Sequence, residues 1–303
     1  MLRTRLFWAA IAVVIVLALL PLGVSGYVLG LLTLAFYFGV FAMSWDLLFG
    51  FAGEVSFGPT FLVGLGAYGA GILNSEAGLP IPVCVLLGTL LAVAGGLLLA
   101  MPALRLSGPY FGLTTLVAVL LLQQMVTVFA KYTGGEIGLT IPDVLSIDDA
   151  TNYWIALGTM AVSGAVLFGL SRSALGLILQ ACGQDPVEAQ ALGFNVAKHK
   201  LAAFCVSALF SGLAGAMLIF YLGTASPGTV IDIAVGVQVI IAAVLGGRRT
   251  ILGAALGAVV LIVAGELLRP LGQLSTFIVS AVALLAILFV PQGLLGVLMR
   301  PRT

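Results

Sequence analysis

Residues capable of catalysis or metal binding are few in this sequence, and their spacing excludes most enzymatic functions. The single histidine, His199, cannot form a histidine-based metal site, and no Ser/His/Asp arrangement can be argued within the apolar segments. None of the lysines lies in the G-x-x-x-x-G-K-S/T pattern, so the sequence has no phosphate-binding loop for nucleotide. We therefore expect no catalytic residue, no metal and no cofactor in this chain itself.

The cysteines are interpreted as small apolar fillers. Their number is odd, and no two have metal or redox spacing. Cys84 and Cys205 lie within apolar segments, whereas Cys182 is predicted to lie in a short loop.

Carboxylates near apolar segments are candidate functional residues because charge inside a membrane is costly and usually functional. Asp46 and Glu54 flank the inner end of the second apolar segment, and Asp232 and Glu266 are predicted near the outer ends of theirs. With none near mid-span, a proton- or sodium-coupled carrier is disfavoured. Uncharged polar side chains, which could line a path or bond between helices, occur deeper: Thr114, Thr115, Gln123, Gln124 and Gln238.

A polar stretch within residues 171–199 predicts a short helix with both of its ends marked. Asp185 suits the N-cap, Pro186 suits the first helical position, and Glu188 is spaced to complete a capping box. Gly193 can adopt the left-handed conformation that ends a helix. Because six or seven helical residues are unstable alone in water, the pattern favours a docking helix for a cytoplasmic partner. A plain, well-capped connector is the alternative.

Composition predicts that membrane helices position these residues. Of the 303 residues, 62% are hydrophobic and only 8% are charged, whereas a soluble domain carries about 25% charge. The mean hydropathy is +1.26. We therefore expect an all-α polytopic membrane protein, with residues 1–303 as one transmembrane domain in the lipid bilayer. A net charge of +1 gives no indication of a nucleic-acid partner.

The apolar segments predict about ten transmembrane helices. The N-terminal run is interpreted as a retained helix, since no signal-peptide cleavage site follows it. The short, glycine-rich segment 59–73 could instead be a half-crossing packed inside the protein. The predicted spans are 6–24, 27–48, 59–73, 81–102, 110–130, 152–170, 200–222, 232–247, 250–268 and 274–290.

The distribution of basic residues predicts the orientation of these spans. With ten crossings and a cytoplasmic N-terminus, ten of the twelve basic residues fall inside, and only Lys131 and Arg269 fall outside. Both termini are then cytoplasmic, and 171–199 is the longest cytoplasmic segment. The inside residues are Arg3, Arg5, Arg105, Arg172, Lys198, Lys200, Arg248, Arg249, Arg300 and Arg302.

Several stretches, in order over about residues 30–297, resemble permeases of branched-chain amino-acid ABC importers. They are residues 45–58 (WDLLFGFAGEVSFG), 64–68, 105–115, 133–139, 185–195, 207–216 and 244–247. The chain is most similar to the M-type permease subunit of these importers. Pro59 departs from the family pattern, which often has histidine there, and relatives carry branched-chain amino acids, urea, other amides or aromatic acids.

The resemblance implies an importer of two related permease subunits, two cytoplasmic ATP-binding subunits and an extracytoplasmic solute-binding protein. ATP and Mg would then bind to the ATPase subunits. The coupling helix seated in an ATPase cleft would comprise Asp185, Pro186, Val187, Glu188, Ala191, Leu192 and Gly193.

We further predict a solute path between glycine-broken spans with mixed polar and aromatic side chains, which suit a zwitterion with an apolar tail. A standalone secondary carrier or channel for a small polar solute is the alternative function. The residues predicted to line the path are Ser56, Phe57, Tyr110, Thr114 and Thr115.

Overall fold

The computed structural model describes residues 16–104 and 109–272, together with the single positions 274, 278, 281 and 293. A π-helical turn, Leu47–Phe51, continues the first long helix, and 3₁₀ turns occur at Leu20–Leu22 and Arg269–Leu271. The helices are α1 (Gly26–Asp46), α2 (Pro59–Ala77), α3 (Ile81–Ala103), α4 (Pro109–Val128), α5 (Ala130–Thr133), α6 (Asp149–Arg172), α7 (Ala174–Gln184), α8 (Pro186–Ala191), α9 (Val196–Leu222), α10 (Pro227–Val230), α11 (Ile233–Gly246) and α12 (Leu252–Leu268), and the short antiparallel strands are β1 (Leu139–Thr140) and β2 (Thr224–Ala225).

The described residues include six helical segments long and apolar enough to cross a membrane, so the chain is a polytopic helical membrane protein. These segments are α1 with its π turn, α3, α4, α6, α9, and the stretch Pro227–Gly246 that contains α10 and α11. The helix α12, with 17 residues, is a shorter apolar helix. The predicted spans 6–24 and 274–290 lie largely outside the described residues, as does the predicted inside residue Arg105.

Small residues let the central helices approach closely, as GxxxG-type spacing predicts. Gly66 of α2 lies directly against the backbone of Gly212 in α9. A Cβ atom added to Gly88 of α3 would lie 2.6 Å from the Gly66 carbonyl oxygen. The helices α1 and α9 are joined by a hydrogen bond of 2.7 Å between the hydroxyls of Ser44 and Ser211. The bundle core is therefore built from close backbone packing of α2, α3 and α9, with α1 bonded to α9.

The loops gather at two ends of the bundle. At one end, the π turn and the following loop contact α7, the start of α9 and the loop between α11 and α12. We call this the basic end because it contains Arg172, Lys198, Lys200, Arg248 and Arg249. At the opposite end, which we call the acidic end, β1 pairs with β2, the Asn74 amide bonds to the Asp143 carboxylate at 2.8 Å, and Tyr27 bonds to Glu266.

Two parts of the sequence prediction are wrong in detail. Residues 171–199 are mostly helical, because α6 ends at Arg172 and is followed by α7 and α8. Cys182 is consequently buried within α7 and does not lie in a loop. The segment predicted at 59–73 is the longer helix α2, which begins with a proline at its first position and ends at Gly78 in the left-handed conformation.

Candidate functional site

The short helix α8 is capped at both ends. The Asp185 carboxylate accepts hydrogen bonds from the backbone N–H groups of Val187 (2.9 Å) and Glu188 (3.0 Å), which confirms the predicted N-cap. Gly193 has φ +89°. Its N–H donates to the Gln190 carbonyl (2.9 Å), and the next N–H, of Phe194, donates to Ala189 (3.1 Å). This pair of bonds is a Schellman motif, so Gly193 ends the helix as predicted.

The predicted capping box is wrong. Glu188 would have to accept a hydrogen bond from the Asp185 N–H group. That N–H instead donates to the Ala181 carbonyl at 3.1 Å, because α7 runs directly into Asp185 and uses it to close its own last turn.

The two faces of α8 have opposite environments. Ala189 is 2% exposed and packs with Cys182 and Val196, and Ile178 and Phe194 complete this small apolar cluster. Burial also raises the pKa of the Cys182 thiol, which favours its neutral form and its role as a filler.

Val187, on the side of α8 opposite Ala189, and Leu192, the residue that follows the last turn of α8, are each 75% exposed. We call this pair the α8 outer face. Two large apolar side chains are therefore exposed at the basic end, in a segment that is not among the candidate membrane-spanning helices.

Close backbone packing joins α7 to the end of α1. Gly53 has φ +72°, and a Cβ atom added to it would lie 2.7 Å from the Gly183 carbonyl oxygen. A Cβ atom added to Gly183, in the last turn of α7, would lie 2.7 Å from the Phe51 carbonyl oxygen. A displacement of α7 and α8 must therefore also displace the π turn that ends α1.

An ion pair joins the start of α9 to the loop after the π turn. Lys200 Nζ lies 2.6 Å from Glu54 Oε1, and the two side chains are only 13% and 15% exposed. Shielding from water makes such a pair stronger than an exposed one, and loss of either partner leaves a largely buried charge. The pair therefore fixes the loop that contains Ser56 and Phe57 to the helix that follows α8.

Asp46 fixes the loop between α11 and α12 to the same end of α1. Its fully buried carboxylate accepts hydrogen bonds from three consecutive backbone N–H groups, of Arg249 (3.0 Å), Thr250 (3.1 Å) and Ile251 (3.0 Å). The Arg249 guanidinium also donates to the Gly50 carbonyl at 2.7 Å. The sequence predicts Asp46 at the inner end of its span, but no residue near Asp46 in the sequence indicates that its partner is the loop between α11 and α12.

The structure brings the two segments of the predicted path together, but two of their hydroxyls are used inside the protein. Ser56 and Thr115 are 3% and 0% exposed. Ser56 Oγ accepts from the Gly58 N–H at 3.3 Å, and Thr115 Oγ1 accepts from the Phe57 N–H at 3.0 Å. The first bond closes a local turn, and the second holds the loop at Phe57 against α4.

The other predicted path residues are more accessible. Phe57 is 45% exposed and Tyr110 is 66% exposed. The Thr114 hydroxyl donates to the Tyr110 carbonyl within α4 at 2.8 Å. Phe57 and Tyr110 are therefore the open side chains of this region.

The part of the chain that the structure describes offers few groups for other chemistry. No group of three His, Cys, Asp or Glu side chains there is close enough to hold a metal ion. His199 Nδ1 lies 2.8 Å from the Asn195 carbonyl oxygen in the first turn of α9.

Comparison with known proteins identifies relatives over nearly the whole chain. Residues 27–291 match the family model described as branched-chain amino acid transport system / permease component. The chain is 28% identical to the high-affinity branched-chain amino acid transport system permease protein LivM of Escherichia coli, an alignment that covers 97% of this chain and 75% of LivM. It is 33% identical to the permease protein BraD of Pseudomonas aeruginosa over 45% of each chain, and 28% identical to LivH of Salmonella typhimurium over 55% of this chain and 59% of LivH. No solved structure matches the chain.

Proposed function

Because this chain belongs to the family of branched-chain amino-acid ABC permeases, we propose that it forms half of the path by which an ATP-driven importer carries a branched-chain amino acid or a related small solute. It is a multi-pass permease subunit of the cell inner membrane. The family also implies a second permease and further importer subunits. The observation on which the coupling mechanism depends is the α8 outer face, an apolar surface on a capped helix at the basic end.

The proposed topology has about ten crossings with both termini in the cytoplasm. It is supported by the gathering of basic residues at the end that holds α7 and α8, because basic loops are retained in the cytoplasm. In this orientation the α8 outer face is presented to the cytoplasm, within the coupling segment 171–199 of a single-domain permease.

The proposed partners are a second related permease subunit, two cytoplasmic ATPases and an extracytoplasmic solute-binding protein. The absence of a P-loop pattern from the sequence supports the assignment of ATP and Mg to the ATPase subunits. Val187 and Leu192 would then be buried in the ATPase cleft, which explains why they are apolar. Asp185, Pro186, Glu188, Ala191 and Gly193 would define the shape of the helix that enters it.

The mechanism follows from the three links at the basic end. Closure of the ATPase pair pushes α8 and α7, and the contact between Gly183 and Gly53 passes this motion to α1. The Glu54–Lys200 ion pair moves the loop that contains Phe57, and the Asp46 carboxylate moves the loop before α12. The spans thereby alternate between outward-facing and inward-facing arrangements around the path near Phe57 and Tyr110.

Reconstitution in proteoliposomes tests the proposed function. The complete importer is expected to transport L-leucine only when ATP is supplied on the side of the membrane where the ATPase subunits lie. The reason is that the sequence of this chain contains no P-loop pattern for nucleotide. The purified chain alone is expected to give no uptake. Flux of a small polar solute through the chain alone, without ATPase subunits, would instead show a standalone carrier or channel.

A further inference from the structure

The helices α2 and α11 run in opposite directions and meet at their first turns. A Cβ atom added to Gly236, in the first turn of α11, would lie 3.4 Å from Thr60 Oγ1, in the first turn of α2. One turn further along α2, a Cβ atom on Gly64 would lie 2.8 Å from the Ile231 side chain, which comes just before α11. Each helix then continues away from this junction towards a different end of the bundle.

The lengths of the two helices place this junction deep in the membrane. From Gly236, α11 continues to Gly246, which at a rise of about 1.5 Å per residue is roughly 15 Å towards the basic end. From Gly64, α2 continues to Ala77, roughly 20 Å towards the acidic end. The hydrocarbon core is about 30 Å thick. Asp232, the N-cap of α11, therefore lies far deeper than the outer position that the sequence predicted.

Two features of the junction are suited to a charged solute. The N-termini of α2 and α11 both meet there, and the positive end of a helix dipole attracts anions. The Thr60 hydroxyl, in a residue that is 1% exposed, has no hydrogen-bond partner among the described residues. An unpaired buried hydroxyl is costly, so its retention at this position calls for a partner that the isolated chain does not supply.

Asp232 adds a negative charge beside the same junction. One of its carboxylate oxygens accepts a hydrogen bond from the Ala234 N–H at 2.9 Å. The other oxygen makes no hydrogen bond to any residue that the structure describes, and the side chain is only half-buried. Ile233, which follows Asp232 and lies on the same side of α11 as Gly236, is partly exposed.

We propose that this α2–α11 junction is a transit site for the head group of an α-amino acid. The Thr60 hydroxyl binds the carboxylate beside the positive ends of the two helix dipoles, and the free oxygen of Asp232 binds the ammonium group. This proposal rests on the proposed transport function and restricts the transported solutes to zwitterions. Urea and simple amides have neither a carboxylate nor an ammonium group. The solute contacts Thr60 when α11 separates from α2. Movement of the loop after α11, which is hydrogen-bonded to Asp46, would drive this separation.

Uptake of L-leucine by the complete reconstituted importer tests the site. Thr60→Val removes the hydroxyl at nearly constant shape, and Asp232→Asn removes the charge but retains an N-cap side chain. Each variant is expected to lower the maximal uptake rate by about tenfold, the effect of one lost hydrogen bond to a charged group. Thr60→Ser retains the hydroxyl and is expected to behave as the unmodified importer. Asp148→Asn, which changes the N-cap of α6 at the acidic end, is the matched control.

A labelling experiment separates solute binding from a structural role. Cysteine introduced at Ile233, beside Asp232, is expected to react with a membrane-impermeant thiol reagent, and saturating L-leucine is expected to slow this reaction at least about fivefold. Thr60→Val is expected to abolish the protection, and leucinamide, which has no carboxylate, is expected to give none.

Two outcomes would overturn the site while leaving the proposed function intact. One is unchanged L-leucine uptake in both Thr60→Val and Asp232→Asn by an importer that transports normally. The other is equal protection of the cysteine at position 233 by L-leucine and leucinamide. An importer with unmodified sequence that carries no L-leucine at all would contradict the proposed function instead.

Discussion

Replacing Val187 and Leu192 together by glutamate is expected to release the ATPase subunits from the permease and lower their co-purification about a hundredfold. Each side chain is 75% exposed in the isolated chain and would be buried on docking. Burial of one such apolar side chain contributes about 1.5–3 kcal/mol, and an unpaired carboxylate in its place is costly to desolvate. The measurement is the ratio of ATPase to permease after affinity purification of the permease from membranes.

The folded permease should not be affected by this double substitution. The apolar cluster that holds α8 is formed on its opposite face by Ala189, Cys182 and Val196, which remain unchanged. Ile137→Glu is a matched control, because Ile137 is 95% exposed and lies in a loop at the acidic end. Undiminished co-purification of the ATPases with the Val187→Glu, Leu192→Glu variant would show that α8 is not their docking element.

Gly183→Ala is expected to uncouple ATP hydrolysis from transport while the ATPases remain bound. The added methyl group would lie 2.7 Å from the Phe51 carbonyl oxygen and 2.8 Å from the Ala52 carbonyl carbon, so α7 must shift away from the end of α1. Overpacking of this kind costs about 1–3 kcal/mol. Because the α8 outer face is untouched, we expect normal co-purification but about a tenfold decrease in L-leucine molecules imported per ATP hydrolysed.

Gly169→Ala provides the control for helix propensity. Gly169 lies in α6, and a Cβ atom added there would have no other atom within 4 Å. This change is expected to be neutral or to stabilise the protein by about 0.5–1 kcal/mol. If the Gly183→Ala variant imports the normal number of L-leucine molecules per ATP, the contact between Gly183 and the π turn does not transmit the motion of α8. The motion would then reach the transmembrane helices through another contact.

Local chemistry explains why the ends of α8 could be predicted from sequence. Asp185, Pro186 and Gly193 act on backbone groups within a few residues of themselves, so their types and spacing suffice. The predicted capping box does not form because the Asp185 N–H group donates to α7, a helix where the sequence predicts a loop. The buried residues of α7, Gly176, Leu179 and Cys182, recur every third position, but small and polar neighbours weaken this signal.

Contacts between distant segments could not be predicted in the same way. Glu54 and Lys200 are 146 positions apart, and Asp46 and Ile251 are 205 apart. Whether such groups meet depends on which helices are neighbours, and glycines throughout the chain allow many alternative neighbours. The same limit applies to Ser56 and Thr115. The sequence predicts that their hydroxyls lie near a path, but only the fold shows that both hydroxyls already accept hydrogen bonds from backbone N–H groups.

Photo-crosslinking from position 187 tests the central claim, that α8 is moved by an ATP-driven neighbour. A photoreactive amino acid replaces Val187 in the assembled importer, and a second importer has the same probe at Ile137. We expect position 187 to give an adduct with an ATPase subunit whose yield changes when ATP is added, and position 137 to give none. An adduct from position 187 with lipid or with the solute-binding protein, and none with an ATPase subunit, would contradict the account.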